Sequence, residues 1–300
     1  MTNLAAARPN LLTPNVIGVL WMMLAVTALT GMFAIAKHLM TTLPMLEVGL
    51  GRFFMSLLFY LPWLINNGIG ALKTERPAAH FCRGFFGATS LIAGIYAVHH
   101  MRLADATVLT FTIPLWTILF AALFLGERVR FRRSIATAAG FVGVLIMVKP
   151  QAGIEPAALV ALLAAILATG AITTMKSLTR TDSTERIVFY FLLSGTVLLG
   201  LPALFFFQMP TSAEWGWLVL LGIFGSSGQY FLTRAYGAGE MTVIAPFDYT
   251  RIMIAGLLGY FVFNELPDIW TFVGATVIMG SCAYIVRREA MIRKETAAAK

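Results

Sequence analysis

The sequence predicts an all-α polytopic membrane protein whose ten transmembrane helices form two inverted five-helix repeats. Composition, an internal repeat and the distribution of loop charge each point to it. Of 300 residues, 59% are hydrophobic and 12% are charged, with a mean hydropathy of +0.81. That is more apolar surface than a soluble core can bury, so most of it must face lipid or other membrane helices. A net charge of +8 would suggest nucleic acid in a soluble domain. In a membrane chain basic residues in short loops orient the helices instead, so no nucleic acid partner is expected.

The repeat shows best in two stretches, Leu103 to Glu127 and Met241 to Glu265. Each is an apolar segment of about 20 residues, enough to cross a ~30 Å hydrocarbon core as a helix. Each closes on a Glu behind a small or polar residue, Gly126-Glu127 and Asn264-Glu265, and the two glutamates stand 138 residues apart. The same offset of 138 carries Glu47 onto Glu185, Gly84 onto Gly222 and Gly87 onto Gly225.

In chain order, residues 1–14 form a polar leader expected on the cytoplasmic side, and the first helix covers about 15–36, too long for a signal-peptide core. Further helices follow near 43–65, 80–98, 103–125 and 132–148, the last stopped by Lys149-Pro150. Residues 15–150 thus make the first repeat. The second, 151–287, holds helices near 157–178, 186–207, 214–236, 241–263 and 268–286. Residues 288–300 form a charged cytoplasmic tail that should fray into water. Cys82 and Cys282 have no metal-ligand spacing and read as small apolar packers.

Loop charge tests this scheme, since the cytoplasmic side should carry the excess of Lys and Arg. With the N-terminus inside, seventeen basic residues fall inside, among them Arg83 and the Arg128–Arg133 cluster. Only Lys37, Arg102 and Lys149 fall outside, while Arg52 and Arg251 lie within helices. Both termini are therefore expected in the cytoplasm. Five helices per repeat is an odd number, so the second copy enters the membrane inverted, the architecture from which many secondary transporters build alternating access.

These residues carry a family resemblance. Arg52 downstream of Pro44 and Glu47, Ala104-Asp105-Ala106, Pro114, Leu125-Gly126-Glu127 before a basic loop, and Gly140-Phe141-Val142-Gly143-Val144 resemble the first EamA-type repeat of the drug/metabolite transporter superfamily. Ala245-Pro246-Phe247 with Tyr249, then Asn264-Glu265-Leu266-Pro267 with Gly274, resemble its second repeat. The resemblance implies a ten-helix carrier with a central cavity in the bacterial cytoplasmic membrane. The branches it is similar to include carriers of S-adenosylmethionine, riboflavin and amino acids. Pro114 and Pro246 do not correspond at the repeat offset, so the two copies should bend at different depths.

Ionisable groups at membrane depth are costly and so point to a site. Arg52 and Arg251 are such groups, and Asp248, three residues before Arg251, shares its helical face and can pair with it. Either the arginines hold a carboxylate, phosphate or other anion in a wet cavity, or they only form internal ion pairs and helix-to-helix hydrogen bonds. Glu47 lies one to two turns from Arg52, whereas Glu127, Glu185 and Glu265 fit helix N-terminal roles. Gly222, Gly225 and Gly228 loosen the eighth helix and make Gln229, Tyr230 and Tyr249 candidate polar groups of the cavity. Trp21 and Trp116 can stack on a substrate ring or simply pack. The substrate-binding set is thus Trp21, Glu47, Arg52, Gln229, Tyr230, Asp248, Tyr249 and Arg251.

A secondary transporter of a small organic metabolite with an anionic or zwitterionic group explains these features. An exporter of broad specificity is the alternative, and an intramembrane lipid-handling protein a more distant one. An enzyme would need a nucleophile with its base, paired carboxylates or metal ligands at one depth, and the sequence offers no such set. It has no Walker A sequence either, so energy must come from a gradient or the membrane potential. No cofactor and no metal are expected. Partners are the small-molecule substrate and the bilayer, with proton or ion coupling left open and the chain a monomer or a homodimer. Substrate and direction stay undetermined at this level.

Overall fold

The fold was taken from a computed structural model, which describes residues 14–113, 115–116, 119, 131–148, 155–205, 207–238, 244, 247–248, 250–266 and 268–298. The described residues form helices α1 (Pro14–Leu39), α2 (Met45–Asn67), α3 (Pro77–His100), α4 (Leu103–Thr110) and α5 (Phe131–Val148) in the first half. The second half has α6 (Pro156–Leu178), α7 (Thr184–Leu204), α8 (Ser212–Ala238), α9 (Thr250–Phe263) and α10 (Ile269–Ala298). A short 3-10 turn, Ile69–Leu72, joins α2 to α3, and no strand occurs among the described residues. Of these helices α1, α2, α3, α6 and α7 are each long and apolar enough to cross a membrane. Large apolar side chains such as Leu20, Leu24, Phe59, Leu201 and Phe261 are exposed around the bundle. In water they would be a liability, whereas in lipid they are the expected outer surface.

Exchanging the two halves maps the principal helix contacts onto one another. α1 packs on α8 and, reciprocally, α6 on α3; α2 packs on α8 and α7 on α3; α1 packs on α9 and α6 on α4. The remaining principal pairs, α2 with α7, α5 with α10 and α4 with α9, join equivalent helices. Such a pattern is what a pseudo-two-fold axis between two intertwined copies produces. Small residues let the copies approach: a Cβ on Gly84 would overlap the Ser194 side chain, and one on Gly222 would overlap Met55 beside Ser56. Gly84 and Gly222 correspond at the repeat offset of 138, and so do Ser56 and Ser194.

The structure corrects three expectations. Arg83, counted among the loop charges, is buried inside α3, because Pro77 at the first helical turn starts that helix ahead of the expected boundary. The charged tail continues α10 to Ala298 rather than fraying, as its Ala, Glu, Arg, Lys and Met content favours. Cys82 is exposed, on a face of α3 shared with exposed Phe81 and Phe85, rather than packed inside. Each repeat is also interrupted near its fourth helix. α4 ends at Thr110 in a turn at Phe111–Thr112, and α9 is preceded by a short turn at Phe247–Asp248. Thr110 and Asp248 correspond at the repeat offset. Pro114 lacks the N–H that would bond the carbonyl of residue 110, which gives the first break its cause; Pro114, Pro246 and Glu127 themselves lie outside the described residues.

Candidate functional site

The two broken helices meet at a cavity of about 130 Å³ in the middle of the bundle, lined from both halves. Its polar wall is Arg83 and Ser90 from α3, Thr110 at the end of α4, Gln229 from α8, and Asp248 with Arg251 at the start of α9. Leu29, Met32, Phe33 and Phe191 supply much of the apolar wall. Small-molecule sites usually offer roughly 300–1,000 Å³, so the cavity in this conformation holds a few waters or one end of a metabolite. Broken helices bring free backbone groups to the centre of a membrane protein without exposing them to lipid.

At the α9 side, Arg251 Nη2 lies 2.6 Å from Asp248 Oδ1. The pairing expected from their spacing is therefore present, and Asp248 neutralises Arg251. In the first repeat the corresponding residues are Thr110 and Ile113, which line the same cavity without charge. The site is thus symmetric in position and asymmetric in chemistry.

Arg52 is fully buried in α2 but does not line the cavity. Its Nη2 donates to the carbonyl of Gly225 on α8 at 3.2 Å and its Nε to the sulfur of Met32 at 3.5 Å. The guanidinium sits 4.6 Å from the ring centre of Phe53 and 5.2 Å from that of Phe191. Aromatic faces and a carbonyl partly replace its lost hydration, so Arg52 fastens α2 to α8 behind the cavity wall. Glu47 is also away from the cavity, in the first turn of α2, where its Oε2 accepts from the backbone N–H of Gln208 at 3.0 Å. Among the described residues no ion pair joins Glu47 to Arg52.

Trp21 and Tyr230 meet each other elsewhere. Their rings pack edge to face at 6.2 Å, and Arg234, whose Nε donates to the Tyr230 hydroxyl at 3.1 Å, stands 5.8 Å above Trp21. Trp21 and Arg234 line a second pocket, of about 540 Å³, with Asp182, Ser183 and Glu185 from the α6–α7 connection. There Asp182 binds Arg186 at 3.0 Å and Thr181 at 2.8 Å. Burial pushes its carboxyl up, but hydrogen bonds from Thr181, Arg186 and Thr74 outweigh that and hold its pKa down to about 2. Tyr249 lies outside the described residues. Trp116 packs on Phe141 at 5.1 Å, its indole N–H bonded to Thr112, with no face on the central cavity.

The residue that sequence reasoning missed is Arg83. Its Nη2 donates to Gln229 Oε1 at 2.9 Å and its guanidinium lies 4.1 Å from the ring centre of Phe191. The available signal was Gly87 one turn further on, because a Cβ there would collide with Arg83 Nη1.

At the end of the bundle carrying Lys37, a polar cluster ties α1, α4, α9 and α10 together. Glu265 Oε1 pairs with Lys37 at 2.5 Å, and its Oε2 accepts from the Leu103 N–H at 3.0 Å, capping α4 from another repeat. Arg102 binds Asp105 at 2.6 Å and the Leu266 carbonyl at 3.0 Å, while Thr271 donates to Asp105 at 2.5 Å.

A sequence family matches this arrangement along almost the whole chain: the EamA-like transporter family, over residues 16–149 and again over 155–287. The chain belongs to the EamA-like transporter family. The S-adenosylmethionine uptake transporter of Rickettsia conorii is 34% identical, covering 92% of this chain and 95% of its own. The riboflavin transporter of Rhizobium johnstonii is 34% identical over 91% and 92% of the two chains. The pseudopaline exporter CntI of Pseudomonas aeruginosa is 34% identical over 90% and 96%. A solved crystal structure matches with a TM-score of 0.61 at 21% identity, covering 90% of this chain and 98% of that one, and supports the fold. This EamA-like protein is a multi-pass membrane protein of two five-helix repeats and a secondary transporter of a small metabolite.

Proposed function

We propose that this EamA-like protein carries a metabolite with an anionic or zwitterionic group across the bacterial inner membrane. Alternating access operates around the central cavity, and both termini are cytoplasmic. The observation that carries this reading is the cavity itself, which broken helices of both repeats line and which holds Arg83, Gln229, Asp248 and Arg251 in a largely apolar wall. Residues 15–150 and 151–287 are the two repeats of this carrier, with 1–14 and 288–300 as cytoplasmic ends. The chain works as a carrier and not as an enzyme, in keeping with the names of its relatives.

Of the sequence candidates, Gln229, Asp248 and Arg251 touch substrate in this scheme. Arg52 and Glu47 brace the repeats, and Trp21, with Tyr230 packed against it, belongs to the second pocket. Export is the second reading, favoured by the relative named as an exporter. A thermal-shift screen of the purified protein tests substrate class. A ligand at a hundredfold its dissociation constant adds about 2.7 kcal/mol of stability. S-adenosylmethionine, riboflavin, aromatic amino acids and nucleosides form the panel. Stabilisation by members with a carboxylate or another anionic group is expected, and stabilisation by uncharged members alone would reject the class.

A further inference from the structure

Three arginines reach the centre of this bundle, and they differ in what compensates them. Arg251 has Asp248 at 2.6 Å. Arg52 is closed off from the cavity by Met32 and the two phenylalanine rings. Arg83 lines the cavity, is 5% exposed, and has no carboxylate partner among the described residues. Its Nη2 meets a neutral amide oxygen on Gln229, and its Nε, like Arg52 Nη1 and Arg251 Nε, is buried without a hydrogen bond.

The way the side chain runs adds to this. A long side chain on a helix ordinarily turns back toward the N-terminal end, and an arginine in the second turn of α3 could reach water that way. Arg83 instead lies forward over Gly87, where any Cβ would obstruct it. The bundle therefore bears the cost of an uncompensated cation at membrane depth, and steadies it with Gln229 and the face of Phe191 at 4.1 Å.

We propose that Arg83 is the anion-binding residue of the cavity and that it receives a carboxylate of the substrate, with Arg251 kept from this role by Asp248. One unpaired guanidinium in an apolar wall matches a single negative charge, and its fork geometry suits a carboxylate held by paired N–H donors. The transported class is then metabolites with a carboxylate, amino acids and their conjugates included. This rests on the central cavity being the substrate site.

The test is binding of matched probes by the full purified chain: S-adenosylmethionine against its decarboxylated form, and tryptophan against tryptamine. The wild type is expected to prefer the carboxylate member of at least one pair by roughly tenfold to a hundredfold, the range for a charge-assisted contact. Arg83→Gln should bind both members alike at the weaker affinity, with Arg83→Lys in between; Arg83→Lys also carries the test if the glutamine variant does not fold. Unchanged preference in these variants would overturn the role of Arg83 while leaving the cavity as the substrate site. A wild type that binds both members equally well would overturn the carboxylate class. A wild type that binds neither member of either pair would overturn both this inference and the substrate class on which it rests.

Discussion

The rings of Phe53 and Phe191 pack edge to face with centres 5.2 Å apart, and the two residues occupy the same place in the two repeats, 138 positions apart. A residue in contact with its own counterpart marks where the pseudo-two-fold axis passes. Arg52 and Arg83 both lie against this pair, so the buried cations are held where the two halves meet at that axis.

Close packing at Gly84 and Gly222 should be equally demanding, because each meets the corresponding serine helix of the other repeat. Gly84→Val and Gly222→Val should each destabilise by about 1–3 kcal/mol through overpacking. Melting of the purified variants in detergent checks this. A variant as stable as the wild type would mean that the helices are not in contact there.

Removing either half of the Asp248–Arg251 pair should have unlike consequences. Asp248→Asn leaves a half-buried arginine uncompensated and should destabilise the fold, by less than the about 3–5 kcal/mol of a fully buried pair. The double variant Asp248→Asn/Arg251→Gln should recover part of that loss, since no charge is stranded. Melting temperatures of the single and double variants form the necessary cycle, and an additive result would show that the two residues do not interact.

Acid should weaken the α6–α7 connection in a defined window. The folded pKa of Asp182 is held at about 2, below its ordinary 3.8. Its contribution is therefore present above about 3.8 and is lost as pH falls toward 2. Stability measured across that range should fall less steeply for Asp182→Asn than for the wild type, and equal slopes would assign the acid sensitivity elsewhere.

Loop charge predicts a cytoplasmic face for both termini and the Arg128–Arg133 loop. In a background with Cys82→Ser and Cys282→Ser, Arg130→Cys should react with an impermeant thiol reagent only after cells are opened. Labelling in intact cells would invert the topology.

Much of the fold was legible because it is written twice. The positions of Glu47 and Glu185 in the first turns of α2 and α7, and of Gly84 and Gly222 in α3 and α8, follow from one offset. So does the Asp248–Arg251 pair from its three-residue spacing. The site was less legible where it depends on contacts distant in sequence. Nothing near Arg52 announces the carbonyl of Gly225, 173 residues away, that accepts from it. Arg83 reads as a charge at the mouth of a helix until Pro77 is known to begin that helix earlier and Gly87 to clear its path. Tyr230 meets Arg234 one turn along the same helix, but the Trp21 ring reaches that arginine only through the packing of α1 on α8.

The central claim is that the cavity opens alternately to the two sides of the membrane. Ala168 lines it and is small, so Ala168→Cys in the cysteine-free background places a thiol there with little disturbance. Reaction with an impermeant reagent should be measured in right-side-out and in inside-out vesicles. Alternating access predicts labelling from both sides, slowed by a bound substrate. Labelling from one side only, or from neither, would contradict it.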